Sequence, residues 1–384
     1  MNDIPIHRPI APDRSAEFSG TPISTVIVKK QVNMWRRKVS AMLLLAGLAV
    51  PYSAVSAQLI ESEPTYSVTD FDWVDQDRSR PVPARLYWPT AATPEMSVPL
   101  VVFSHGIGGS REGYSYLGKH WSAQGVASLH VQHVGSDEEL WRGNPFRMVD
   151  RLQAAARETE AIERAADVRF ALDQMLSDEM GSRGVAVNRQ RLVIAGHSYG
   201  ANTTLLTIGA QVVREGQTID YLDSRFSAAV LISAPPFYGE SDVATVLNNV
   251  SIPTIHVTAT DDVIQIPGYH SGIEDRIDIF DAITSPNKFL AVFRGGSHSI
   301  FTDRTLTGGR ALNAKVKVAT ADLALAFFDL VFEGDGEALA EWQITWQSIL
   351  ARAPEPMSHD AAQGDSHDSH WTSDELLTAS MNFM

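Results

Sequence analysis

The sequence has no cysteine, which removes disulfides, thiolate metal sites and a thiol nucleophile together. It has no surplus of positive charge: 31 Lys+Arg stand against 46 Asp+Glu, a formal net charge of -15. An acidic surface is repelled by phosphate backbones and anionic bilayers, so nucleic acid and anionic membrane are excluded as main partners. A nucleotide-binding fingerprint is also missing. Gly106-Ile107-Gly108 is followed by Arg111 where a third glycine is required, and no G-K-[ST] occurs. No internal repeat is visible.

What is present fits a large globular core flanked by two segments of other composition. Hydrophobic residues make up 44% of the 384 positions, enough for one α/β domain of this size. Residues 1–33 are polar and without periodicity, and read as disordered or as an over-extension of the reading frame. Met34-Trp35-Arg36-Arg37-Lys38, an apolar run from Val39 to Val50 and the small residues Val55-Ser56-Ala57 describe a signal peptide over 34–57. The apolar middle is short for a membrane span, so no stable membrane insertion is expected after cleavage; an uncleaved anchor is the alternative. Residues 1–57 hold seven Lys/Arg and three Asp/Glu, and their removal leaves 24 basic against 43 acidic residues. The expected product is a secreted or periplasmic, strongly acidic protein with its catalytic domain over 58–352. Residues 353–384 contain His359, His367 and His370 and read as a disordered tail. No rigid element fixes those imidazoles as metal ligands, so no metal or other cofactor is expected.

From Ser67 the pattern becomes strand and helix in alternation. Ser67–Val74 and Ala84–Pro89 alternate and read as antiparallel edge strands. Leu100–Phe103, Val126–Val131, Leu192–Ala195, Ala228–Ser233, Thr254–Thr258 and Lys288–Phe293 are apolar runs of buried-strand type. Arg157–Leu176 and Val316–Phe332 carry helical periodicity. Strands separated by helices imply one mostly parallel sheet covered on both faces. The long connection from Gly135 to Ala156, with Trp141, Phe146 and Met148, is expected to form a rim or lid.

The most informative stretch is Leu192-Val193-Ile194-Ala195-Gly196-His197-Ser198-Tyr199-Gly200. A G-x-S-x-G between a buried strand and a helix lifts the serine hydroxyl on a strained turn that tolerates little side chain on either flank. Ser198 is therefore the candidate nucleophile; a helix-capping serine is the plain alternative. A serine needs a base, and the base needs a partner that fixes its tautomer. In this arrangement acid and base follow on loops after later strands. Thr260-Asp261-Asp262 and Gly295-Gly296-Ser297-His298 supply Asp261 as acid, with Asp262 as its competitor one residue on, and His298 as base. The oxyanion needs two backbone donors, expected from Tyr199 N–H and from Ile107 N–H in Ser104-His105-Gly106-Ile107-Gly108-Gly109-Ser110. His105, His130 and His256 are expected as hydrogen-bonded core residues, and His133 as core or pocket wall. Trp141, Phe237 and Ile264 are candidate substrate-binding residues, with Phe146, Ile107 and Tyr199 near the mouth.

On these motifs, residues 65–335 resemble the α/β-hydrolase superfamily, and within it bacterial dienelactone-hydrolase-like and platelet-activating-factor acetylhydrolase-like serine esterases. The resemblance implies an α/β-hydrolase fold with a mostly parallel sheet of about eight strands and helices on both faces. It also implies ester hydrolysis through an acyl-enzyme, without cofactor, on a small-molecule or lipid-like ester. True dienelactone hydrolases use a cysteine nucleophile, which this chain lacks. The alternatives are a lipase, polyester hydrolase or phospholipid acetylhydrolase with the same triad, a metal-dependent hydrolase using the histidine tail, or a non-catalytic binding protein on a hydrolase fold.

Overall fold

In the computed structural model, residues 65–354 are described, apart from Pro94, Glu215, Gly216 and Pro267. The expected leader and most of the expected tail, including its three histidines, lie outside the described residues. The chain begins with an antiparallel pair, β1 (Tyr66–Asp75) and β2 (Arg80–Pro89). β3 (Val98–Ser104) is followed by helix α1 (Ser115–Ala123) and β4 (Ala127–Val131). Then come α2 (Met148–Ala155), α3 (Glu158–Met175) and the short α4 (Asp178–Ser182). β5 (Val187–His197) runs into α5 (Tyr199–Thr207). A side hairpin, β6 (Gln211–Arg214) and β7 (Gln217–Asp220), precedes β8 (Ala228–Ile232) and α6 (Val243–Leu247). β9 (Thr254–Asp261) leads to a second hairpin, β10 (Ile264–Ile266) and β11 (Tyr269–Ser271), and α7 (Ile273–Ala282). β12 (Lys288–Ser297), α8 (Arg310–Glu333), α9 (Glu337–Trp346) and β13 (Leu350–Arg352) complete the order.

One nine-stranded sheet runs β1-β2-β4-β3-β5-β8-β9-β12-β13. The six strands from β4 to β12 pair in parallel, and the pairs β1/β2, β2/β4 and β12/β13 are antiparallel. The ninth strand, beyond the eight expected, is β13: three residues are too few to show a period of two.

Alternation along the strands divides the interior in two. Leu100, Val102, Leu192, Ile194 and Leu231 face α3 and α5, meeting Val168, Leu172, Ala201 and Leu205. Val101, Phe103, Val193, Ala195 and Val230 face α1 and α8, meeting Leu117, Trp121, Leu323 and Phe327. Both faces of the central strands are thus covered, which explains their unbroken apolar sequence. Because these strands are parallel, Ser104, His197, Ile232, Asp261 and Ser297 end at one edge of the sheet, where side chains from distant parts of the sequence converge.

Leu100 is completely buried at the centre of one of these layers. Leu100→Ala should lower unfolding free energy by about 2–5 kcal/mol. Val68→Ala, on the exposed edge strand β1, should stay within about 0.5 kcal/mol. Urea denaturation midpoints of the two variants check this.

Candidate active site

The turn from β5 to α5 places Ser198 at φ 56°, ψ -125°, a backbone region that costs a residue with a side chain about 1–3 kcal/mol. The flanking glycines make it sterically feasible. A Cβ on Gly196 would lie 2.1 Å from the Gly200 carbonyl oxygen, and one on Gly200 would lie 2.0 Å from the Ser104 carbonyl oxygen. The Ser198 N–H donates to Ile232 O at 2.9 Å, which anchors the turn to the neighbouring strand.

Ser198 Oγ lies 2.8 Å from His298 Nε2. On the other side of the ring, His298 Nδ1 lies 2.8 Å from Asp262 Oδ1 and 2.8 Å from Ser233 Oγ. With the Asp262 carboxylate ionised, Nδ1 carries the proton and donates, so Nε2 presents its lone pair to the Ser198 hydroxyl. Asp262 is fully buried, and its other oxygen accepts from Thr258 Oγ1 at 2.8 Å. Burial alone would raise its pKa. The hydrogen bond and charge of His298, the Arg276 guanidinium and Ser233 outweigh that and hold it well below the usual carboxylate range.

Asp261, expected as the acid, is not in this line. It is exposed as the last residue of β9, and its carboxylate accepts from Thr260 Oγ1 at 3.2 Å. The correction is one residue: the chain turns as it leaves β9, with Asp262 N–H donating to Ala259 O at 3.1 Å, and the turn brings Asp262 rather than Asp261 to His298. Ser233 and Arg276 were not foreseen. Ser233 directly follows β8 with φ 53°, and its only sequence signal is a serine after an apolar strand and before two prolines. Arg276, buried on α7, donates Nη1 to Ser271 Oγ and Gly272 O at 2.7 Å each, with Nη2 3.5 Å from Asp262 Oδ1.

The loop after β3 lies beside Ser198: a Cβ on Gly106 would come within 3.2 Å of Ser198 Cβ. The Gly106 carbonyl accepts from His105 Nδ1 at 2.7 Å and Gly109 N at 3.0 Å. Across a trans peptide the Ile107 N–H therefore points the opposite way. The Ser198 carbonyl accepts from Ala201 N and Asn202 N along α5, so the Tyr199 N–H also points out of the helix start, where no intrahelical partner exists. Gly106 N–H donates to Tyr114 Oη at 3.2 Å, Tyr114 Oη lies 2.8 Å from His197 Nδ1, and His197 Nε2 donates to His298 O at 3.1 Å. The loop and the imidazole backbone are joined by one chain of hydrogen bonds.

A cavity of about 320 Å³ adjoins Ser198, lined by Ile107, Tyr199, Phe237, Ile264, Tyr269 and other largely apolar residues. The 135–156 segment supplies Leu152 and Ala156 to it. Trp141, expected to bind substrate, does not line this cavity. Its Nε1 donates to Gly108 O at 2.7 Å and it stays 49% exposed, because its polar edge is used on the outside of the loop. Phe146 is 93% exposed and also outside it.

His105, His130 and His256 are buried and hydrogen-bonded to Gly106 O, to Ser128 Oγ and Gly113 O, and to Thr254 Oγ1 respectively. His133 is buried too, away from the cavity, with Nε2 2.9 Å from Ser104 Oγ and Nδ1 3.1 Å from Asp167 Oδ2. Ser104, His133 and Asp167 thus reproduce a serine–histidine–aspartate line, but all three are completely buried and no substrate reaches them. Among the described residues there is no group of three His, Cys, Asp or Glu side chains that could hold a metal, and no helix long and apolar enough to cross a membrane.

A six-strand parallel centre with antiparallel edges and a strained serine turn on a central strand is the α/β-hydrolase fold. Residues 79–138 match the family model of platelet-activating factor acetylhydrolase, isoform II. A ferulic acid esterase from Streptomyces cinnamoneus has a similar structure, with a TM-score of 0.51 and 20% identity over 72% of this chain and 92% of the esterase. A candidate dienelactone hydrolase from Klebsiella pneumoniae subsp. pneumoniae gives a TM-score of 0.48 and 16% identity over 68% and 98% of the two chains. No curated protein matches the chain.

Burial, with Lys288 nearby, lowers the His256 pKa to about 3. The folded state keeps this ring neutral while the unfolded chain protonates it below roughly pH 6.5. The unfolded state therefore binds the extra proton, and stability is lost as pH falls from about 6.5 toward 3. His256→Leu should flatten the pH dependence of unfolding free energy by up to about 1.4 kcal/mol per pH unit between pH 6 and 4.5, as read from urea melts at a series of pH values.

Proposed function

We propose that this protein is a serine carboxylesterase acting on neutral acyl or aryl esters. The single observation that carries the reading is the unbroken line Ser198 Oγ–His298 Nε2 and His298 Nδ1–Asp262 Oδ1, each at 2.8 Å, opening on an apolar cavity. Ser198 Oγ attacks the ester carbonyl while His298 Nε2 takes its proton. The buried Asp262 carboxylate stabilises the imidazolium that forms, and Ser233 steadies the pair. The Ile107 and Tyr199 N–H groups hold the oxyanion, where losing one donor typically costs about 100- to 1,000-fold in rate. His298 then protonates the departing alcohol, leaving an acyl-enzyme. A water, deprotonated by the same imidazole, releases the acid and restores Ser198.

Among the described residues Glu158 is the one charged residue lining the cavity, which disfavours an anionic acyl group. The volume is at the small end for ligand pockets, which favours short acyl or aryl groups over long chains. The small volume weighs against a lipase-type substrate. The match of residues 79–138 to the platelet-activating factor acetylhydrolase family model supports the general chemistry.

A fluorophosphonate probe should label the wild type at Ser198 and leave Ser198→Ala unlabelled, and p-nitrophenyl butyrate should be turned over faster than the palmitate. Asp262→Asn should reduce kcat about 10⁴-fold, whereas Asp261→Asn should stay within about threefold. Folded wild type without an adduct on Ser198 would leave a binding protein as the better reading.

We also infer export to the periplasm or medium through residues 34–57, on the basic head, apolar middle and small-residue end of that segment. Mass spectrometry of the mature protein should then find Gln58 at its N-terminus; a mature chain retaining Met34 would contradict cleavage.

A further inference from the structure

Arg164, on α3, is completely buried, yet among the described residues it is in ion-pair contact with no carboxylate. Glu160 is linked to it through Ser136 Oγ, which accepts from Arg164 Nη1 at 2.7 Å and donates to Glu160 Oε1 at 2.8 Å. Asp167, one turn along the same helix, is occupied by Arg78, Arg80 and His133. Burying a guanidinium without a contact carboxylate is costly, and such arrangements collect at functional sites. Burial lowers its pKa to about 10, so it remains a cation at neutral pH.

Its hydrogen bonds go in two directions. Toward the loop after β3, Nη2 donates to His105 O and, at 3.1 Å, to Ser104 Oγ. Toward α5, Nε donates to Thr203 Oγ1 at 2.9 Å, and the guanidinium lies 4.5 Å from the centre of the Tyr199 ring. The loop bears the Ile107 N–H and the helix bears the Tyr199 N–H.

We propose that Arg164 is the positioning residue of the oxyanion hole: one buried guanidinium fixes the loop that carries one donor against the helix that carries the other, and sets a positive charge behind the forming oxyanion. The inference rests on the esterase reading above. It explains the residue type, because a planar fork can grip two walls at once and an ammonium on a flexible stem cannot. It also explains the neutral partners, since a contact carboxylate would cancel the charge where negative charge develops in the reaction. Arg164 does not touch the substrate; its effect passes through Gly106–Ile107 and the first turn of α5.

The test compares wild type, Arg164→Lys, Arg164→Met and Thr203→Val on p-nitrophenyl butyrate, with butylboronic acid as the tetrahedral adduct mimic and circular dichroism as the check on folding. The two Arg164 variants should lose about 10- to 100-fold in kcat, with KM within about threefold, and the boronate Ki should rise by the same factor. Thr203→Val, which removes the helix-side acceptor of Arg164 together with the Thr203 Oγ1 bond to Tyr199 O, should show the same split at a few-fold scale. A merely structural role would lower the melting temperature without weakening the boronate relative to the substrate. Folded Arg164 variants with kcat within about threefold of wild type, or with unchanged boronate Ki, would overturn the proposal. Should both Arg164 variants fail to fold, unchanged kinetics in Thr203→Val would overturn it. A wild type inert toward both ester and fluorophosphonate would instead remove the esterase reading, and this inference with it.

Discussion

The site depends on a single backbone constraint, the turn that holds Ser198 at positive φ between a central strand and a helix. Closing that turn requires Gly196 and Gly200 to approach other backbone at distances no side chain permits, and the sheet supplies the rigidity through the Ser198 N–H bond to Ile232 O. From this one geometry come the exposed direction of the hydroxyl and the outward aim of the Tyr199 N–H. The nearness of the β3 loop follows as well. A strained conformation persists only where its surroundings over-determine it, and here two layers of core do so.

The described residues include two serine–histidine–aspartate lines with similar hydrogen-bond distances, and access separates them. Ser198, His298 and Asp262 border a cavity; Ser104, His133 and Asp167 are sealed beneath the β3 loop. The sealed line belongs to a wider polar network in which Arg78 and Arg80, from the β1–β2 corner, bind Asp167 on α3. Buried polar groups are tolerated when fully satisfied, and a satisfied network specifies one arrangement. The loop that borders Ser198 therefore stands on a floor fixed by residues some sixty to ninety positions apart in sequence.

Much of this was legible in the sequence, and for physical reasons. Buried parallel strands must be apolar throughout, so β3, β5, β8, β9 and β12 announce themselves, and only glycine can flank a turn like that at Ser198. The order of acid and base along the chain follows from the order of the strands. The choice between Asp261 and Asp262 did not emerge, because it depends on how the chain turns as it leaves β9. The use of Trp141 on the outside of the loop was also hidden, since an indole can serve a pocket or a carbonyl equally well. Ser233, Arg276 and Arg164 were invisible because nothing local marks a side chain whose partners come from other strands and helices.

The β10–β11 hairpin begins two residues after Asp262 and contributes Ile264, Ile266 and Tyr269 to the cavity, while Arg276 staples its base at Ser271 and Gly272. Pocket shape and carboxylate placement are therefore mechanically joined on this side. The wall from 135–156 carries no member of the Ser198–His298–Asp262 line, though its Leu152 lies in the apolar cluster against which Ile266 packs. Fitting bulkier ligands by substitution at Ile264, Ile266 or Tyr269 therefore also loads the segment that holds Asp262, and a lineage diversifying its ligand range would be expected to vary Ala156, outside that hairpin, first.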